Sequence, residues 1–275
     1  MCRWLAYSGS PLYLDELIFK PEHSLIDQSL SARSGPTPTN GDGFGIGWYG
    51  SRDTPGLYKD IQPAWNDANL RNLAEQIRSH MCVAHVRAAT GGTPVQQSNC
   101  HPFRHGRWLF LHNGRIRDFT RVRRTLDFAV RPDLYNSMEG STDTEVMFHL
   151  ALTFGLEEDP IGALERMVGF VEATGWDAGI EHPMQMTIGV ANGHHLYGVR
   201  YSSNGRSRTL YHSRSIKALR RMNPRFDRFS EDAIVVVSEP MNDVAEYWEE
   251  IPESTVLVVE GSSVRALPFK PRRPD

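Results

Sequence analysis

Met81-Cys82-Val83-Ala84-His85-Val86-Arg87-Ala88 is apolar on both faces for most of its length. A strand with one wet face alternates apolar and polar residues, so this one fits a sheet covered on both sides. Arg107-Trp108-Leu109-Phe110-Leu111-His112 reads the same way. At the start of the chain, residues 1–8 predict a first strand. Cys2, Trp4 and Ala6 share one face of it and Arg3, Leu5 and Tyr7 the other. Residues 43–49 predict a strand with Phe44, Ile46 and Trp48 on one face and its glycines on the other, and 57–61 a partner for it. Leu70, Leu73, Ala74 and Ile77 give 67–78 helical spacing. Short helices are expected at 14–19 and 24–32, the second capped by Ser24, and the two best helices at 141–154 and 161–173. Residues 35–41 read as a loop. Further strands fall at 184–191, 196–201, 209–213, 233–238, 255–260 and 263–267.

Strands, then helices, then strands again is not the βαβα alternation of a parallel sheet. The order argues for an α+β fold with sheets and helices in separate layers. No linker marks a boundary, so one domain is expected over residues 1–267. The tail 268–275, with Pro268, Pro271 and Pro274, is expected to fray.

Composition narrows the function classes. The 275 residues carry 30 basic and 33 acidic side chains, a net charge of −3, which leaves no basic excess for a general nucleic-acid binder. No apolar run is long enough for a membrane span, and no secretory signal precedes Cys2. Three cysteines are too few for a disulfide scaffold. A cytoplasmic protein without membrane or nucleic-acid partners is the expectation.

Five constellations can carry chemistry. If Met1 is trimmed, Cys2 joins a thiol and an α-amine in one residue, the nucleophile and a group able to hold its proton; a chance cysteine beside the initiator is the alternative. Asn40-Gly41-Asp42-Gly43-Phe44-Gly45-Ile46-Gly47 leads into a strand rather than a helix, so a phosphate cradle fits it poorly. A turn followed by a closely approached strand fits better. Arg87 ends an apolar strand before Gly91-Gly92 and offers a fork that matches a carboxylate, or is a solvated or ion-paired strand end. His112-Asn113-Gly114 closes its strand either as a tight turn or as two donors aimed at one oxygen, an oxyanion hole. Thr142 and Glu145 have capping-box spacing with Asp143 between them, where a carboxylate suits the helix dipole and can also receive an ammonium. Among Cys82, His85, Cys100, His101 and His105 no Cys-x-x-Cys or His-x-x-x-His spacing occurs, so neither metal nor other cofactor is expected. His194-His195 reads as a hairpin surface, the arginines from Arg220 to Arg228 as a solvated face, and Ser238-Glu239-Pro240 as a turn or a pocket wall.

Taken in order, Cys2, His85 to Thr90, His112 to Gly114 and Thr142 to Glu145 resemble the class II glutamine amidotransferases, N-terminal-nucleophile amidohydrolases. The Met-Cys-Arg opening, the Asn40–Tyr49 stretch and the late Ser-Glu-Pro are similar to a stand-alone subgroup. It includes the γ-glutamyl hydrolase of ergothioneine biosynthesis and the amidotransferase subunit of fungal glutathione degradation. The resemblance covers nearly the whole chain. It implies a four-layer αββα sandwich with two stacked antiparallel sheets. It also implies roles: Cys2 as nucleophile with its α-amine as base, Asn113 and Gly114 as oxyanion hole, Arg87 for the substrate α-carboxylate and Asp143 for its α-ammonium. Thr90 and His101 would be pocket-wall positions. Ala88 stands where members with a synthase often have a bulky aromatic, and a second domain to consume ammonia is not expected. The implied reaction is cleavage of the γ-glutamyl amide of glutamine or a γ-glutamyl compound through a thioester. Two alternatives stay open: a glutaminase-type subunit active only with a partner enzyme, and a non-catalytic γ-glutamyl sensor. The leaving group and any homo-oligomer are not readable from the residues.

Overall fold

Strands that are apolar on both faces need cover on both sides, and here two sheets give each other one cover while helices give the other. The structure is a computed structural model describing residues 2–33, 39–89, 93–214, 216 and 229–274. The first sheet contains β1 (Arg3–Tyr13), β2 (Phe44–Trp48), β3 (Gly56–Asp60), β4 (Arg78–Val86), β9 (Tyr211–Ser213), β10 (Ile234–Val237) and β11 (Trp248–Glu250). Their order is β11-β9-β10-β1-β4-β2-β3. The second sheet contains β5 (Phe103–His105), β6 (Trp108–Ile116), β7 (Met184–Ala191), β8 (His195–Ser202), β12 (Thr255–Glu260) and β13 (Ser263–Pro268), in the order β13-β12-β8-β7-β6-β5. Every pairing in both sheets is antiparallel.

Three hydrophobic cores separate four layers, the expected αββα sandwich. Between the sheets, Trp4, Ala6, Met81, Val83 and Val236 meet Leu109, Leu111, Leu196, Leu257 and Val259. The outer face of the first sheet, with Leu5, Phe44, Ile46, Ala84 and Val86, packs on α1 (Asp15–Ile18), α2 (Leu25–Leu30) and α3 (Ala68–Gln76). The outer face of the second, with Phe110, Met186, Ile188 and Val258, packs on α4 (Phe119–Ala129), α5 (Pro132–Tyr135), α6 (Asp143–Thr153) and α7 (Pro160–Asp177). The alternation of β4 is now explained: Met81 and Val83 face the other sheet, and Cys82, Ala84 and Val86 face the helices. No helix among the described residues is long and apolar enough to cross a membrane.

Local chemistry sets the helix starts. Ser24 caps α2 in a reciprocal box with Asp27. Thr142 caps α6 by accepting the Glu145 N–H at 3.2 Å. The Glu145 carboxylate does not return to the cap; it accepts the N–H groups of Glu139 and Gly140 at 2.8 and 2.7 Å and clamps the preceding loop.

Two expectations are corrected, and several elements appear where none was expected. The strand through His112 does not close there: β6 continues to Ile116, with Asn113 opposite Thr187 and Gly114 opposite Met186 of β7, so no tight turn forms. The stretch 115–137 holds the helices α4 and α5; Val122 and Leu126, buried amid exposed arginines, are too short an apolar stripe to stand out. The strands β5 and β11 were not expected. The tail is seated over residues 269–272: Phe269 is buried, and the Lys270 and Arg272 N–H groups donate to Glu165 at 2.9 and 3.2 Å. Residues 35–38 of the 35–41 loop and the arginines from Arg220 to Arg228 lie outside the described residues.

Candidate active site

The face of β1 that carries Trp4 and Ala6 into the space between the sheets also carries Cys2, by the period of two. The Cys2 sulfur accepts the Ala88 N–H at 3.4 Å, just past the end of β4, and lies 3.6 Å from the Ala88 carbonyl. Burial pushes the Cys2 thiol up; the Ala88 contact, the chain's terminal ammonium and the Arg87 and Arg3 guanidiniums oppose it. A thiol so placed needs a base to take its proton as it attacks.

The second sheet is tied to this point by Trp4, whose indole N–H donates to Thr187 Oγ1 at 3.0 Å. Thr187 is the ladder partner of Asn113, so the start of β1 is anchored on the strand pair that carries Asn113. Asn113 is buried, and its side-chain amide makes no hydrogen bond to the described residues. Gly114 beside it admits no side chain. A Cβ there would lie 2.0 Å from the Gln185 carbonyl oxygen and 2.5 Å from His112 Nε2. His112 faces the helices, with Nδ1 at 2.9 Å from Thr144 Oγ1 of α6. Burial holds it below the usual imidazole range, with the Asp143 carboxylate opposing.

Arg87 is 4% exposed. Its guanidinium donates to the carbonyls of Asp42 and Pro94 at 3.3 and 3.2 Å and meets no carboxylate among the described residues. That excludes both bland readings, a solvated strand end and a protein ion pair. A buried cation with donors to spare has the chemistry to receive an anion. Asp143 sits in the first turn of α6. Its Oδ2 accepts the Ile116 N–H at 2.8 Å and its Oδ1 the Thr144 N–H at 2.8 Å. Those bonds hold the end of β6 to the helix start and fix the carboxylate.

Two residues whose role the sequence did not show support Arg87, and one of them reaches toward Asp143. Buried Asn99 donates to Pro94, which also accepts from Arg87, and accepts the Ser141 N–H at 2.8 Å, two residues before Asp143. Asp42 holds Arg87 with its carbonyl and the Ala89 N–H with its carboxylate at 2.8 Å. No local signal marks Asn99, whose partners are distant in the chain; the Asn-Gly-Asp-Gly run around Asp42 was noticed only for its glycines.

Those glycines are now accounted for. On the inward face of β2, a Cβ at Gly45 would lie 2.3 Å from the His101 carbonyl and one at Gly47 2.7 Å from Leu109, while Gly43 abuts the Cys100 sulfur. The chain's own segment from Cys100 to His101 occupies that approach, so the loop is not built around phosphate. His101 packs against His85, the rings tilted at 45° with centroids 4.2 Å apart and Nδ1 3.2 Å from His85 Nε2. No hydrogen bond links it to Cys2. Burial, then the Arg87 charge, lower His85 to about 3, and burial with the neighbouring His85 keeps His101 well below its ordinary range. The pair is neutral near pH 7. Thr90 lies outside the described residues. No group of three metal-ligating side chains converges among the described residues.

Comparison with known proteins agrees with the geometry. Residues 20–273 match the family described as glutamine amidotransferases class-II. The "Probable glutamine amidotransferase DUG3" of Saccharomyces cerevisiae is 33% identical over 305 residues, covering 98% of this chain and 84% of that protein. The gamma-glutamyl-hercynylcysteine sulfoxide hydrolase of Mycolicibacterium smegmatis is 28% identical over 270 residues, 98% of this chain and 100% of that one. A glutamine aminotransferase class-II domain protein from Silicibacter pomeroyi, of known structure, superposes with a TM-score of 0.75 at 33% identity, covering 98% of this chain and 100% of that chain.

Proposed function

The chain belongs to the class-II glutamine amidotransferases, and from that premise we propose that it hydrolyses the γ-glutamyl amide bond of glutamine or a larger γ-glutamyl compound through a thioester on Cys2. The observation that carries this reading is that β1, whose start is held at Ala88 through Cys2, is tied two residues on, through Trp4, to Thr187, the ladder partner of Asn113.

Removal of Met1 leaves the α-amine on Cys2, where its reference pKa of about 7.7–8.0 keeps a useful fraction as free base. The amine takes the thiol proton as sulfur adds to the γ-carbonyl carbon. The carbonyl π electrons move to oxygen, which the Asn113 side-chain amide and the Gly114 N–H receive. Collapse re-forms the carbonyl and breaks the C–N bond, and the Cys2 ammonium returns its proton to the leaving nitrogen. Water, deprotonated by the same amine, then adds to the thioester. The C–S bond breaks, the thiol is restored and glutamate departs.

Arg87 would hold the substrate α-carboxylate, which supplies the anion its buried guanidinium lacks. Asp143 would hold the α-ammonium, and Thr90 and His101 would be pocket-wall positions. A site that pairs both charges rejects substrates without a free amino-acid end, because a buried charge left unpaired is costly.

The test is glutamate release from a panel of γ-glutamyl amides by the isolated chain. Cys2→Ala is expected to lower kcat by about 10⁴-fold or more, and the intact mass of active protein is expected to lack Met1. Turnover by Cys2→Ala, or by protein that retains Met1, overturns the reading. Turnover by the isolated chain separates a free-standing hydrolase from a subunit that works only beside a partner enzyme.

A further inference from the structure

We propose that Glu239 is a positioning residue for the reaction at Cys2, acting through Arg3; this rests on Cys2 being the nucleophile. The Ser-Glu-Pro stretch after β10 is more than a plain turn. Glu239 is 3% exposed and Arg3 2%. Arg3 Nε donates to Glu239 Oε2 at 2.8 Å, and Arg3 Nη1 donates to the Cys2 carbonyl at 3.0 Å. The other carboxylate oxygen accepts from His23 Nε2 at 2.7 Å and from the Arg33 N–H at 2.9 Å. One residue earlier, Ser238 Oγ accepts the Trp4 N–H at 3.0 Å, and the Ser238 N–H donates to the Trp4 carbonyl at 3.0 Å. Burial pushes the Glu239 carboxyl up, but His23, the Arg33 N–H and Arg3 outweigh it and hold it at about 2, so it stays ionised.

The geometry explains why this reaches the chemistry. A guanidinium is planar, so pinning Nε on Glu239 fixes the direction of Nη1. The Cys2 Cα carries a carbonyl, a side chain and an amine. Arg3 anchors the first and the Ala88 N–H the second. Tetrahedral carbon then sets the direction of the third, the amine that moves the proton. Stability alone is a weak reason for the pair, because a buried ion pair replaced by apolar side chains is often neutral or stabilising.

The test uses the full chain, with kcat, KM and melting midpoint measured together. Arg3→Lys keeps the charge pair with Glu239 but loses the rigid fork to the Cys2 carbonyl. It is expected to melt like wild type, with kcat about 10- to 100-fold lower and KM within about threefold. Glu239→Gln strands the Arg3 charge and is expected to lose both kcat and stability. The double variant Arg3→Met with Glu239→Gln removes both charges; its melting midpoint is expected to recover while kcat stays low. Wild-type kcat in Arg3→Lys, or kcat recovering with stability in the double variant, overturns the proposal and leaves Glu239 structural. Turnover by Cys2→Ala is the separate result that removes the nucleophile reading itself.

Discussion

Along the inner face of β4, Met81 and Val83 meet Leu109 and Leu111 of β6 in an apolar layer. One step further along the same two faces, the side chains are His85 and Asn113, with Arg87 beyond. The period of two does not change, nor do the strands or the pairing. What changes is how each side chain is satisfied. Leu111 needs only contact with apolar neighbours. His85 needs His101, Thr187 needs Trp4, and Arg87 takes carbonyls from two loops. One half of the interlayer therefore serves stability, while the other holds polar groups that keep hydrogen-bonding capacity, which the proposed reading assigns to substrate.

The comparison breaks if the two halves respond alike to mutation. Asn113→Ala is expected to lower kcat by about 10²–10³-fold, about 2.7–4 kcal/mol of transition-state stabilisation, with the melting midpoint near wild type. A loss below tenfold would remove the oxyanion role. Leu111→Ala is expected to do the reverse. It should cost about 2–5 kcal/mol of stability by denaturant titration and keep KM and kcat per folded molecule. The effect with least bearing on the site is on pH dependence. The His85 imidazole, lowered by burial to about 3, favours the neutral form in the folded state. Its contribution is fully present above the unfolded pKa of about 6.5 and is lost as pH falls toward 3. Melting scans should show stability falling through that window, and His85→Gln should flatten the fall; an unchanged slope would place the acid lability elsewhere.

Much of the frame was legible because its signals are local. The two-faced apolar run in β4, the spacing in α3, the Ser24 cap and the Thr142 start of α6 each depend on residues within a turn or a strand length. Where pairing is distant, reading failed or stayed open. His112-Asn113-Gly114 looked like the end of a strand because Asn-Gly usually turns. Only β7, some seventy positions on, carries the ladder through to Ile116. The glycines of β2 were seen to share a face, yet nothing nearby shows that the segment at Cys100 and His101 lies against them. Asn99 gave no sign, and Glu239 stood out only as part of a turn or pocket-wall tripeptide. Their importance comes from partners in segments far from them in sequence, Ser141 for one and Arg3 for the other.

The sequence by itself determined the layered α+β class, the candidate nucleophile and the identities of the groups around it, because those follow from residue type and short-range periodicity. Tertiary structure alone decided which of those groups share one space. A β-strand sets only which face a side chain takes. The sheet order, the stacking through Trp4 and Thr187, and the Arg3–Glu239 pair set what lies opposite. Those choices are made by contacts between residues up to 236 positions apart, which no local pattern encodes.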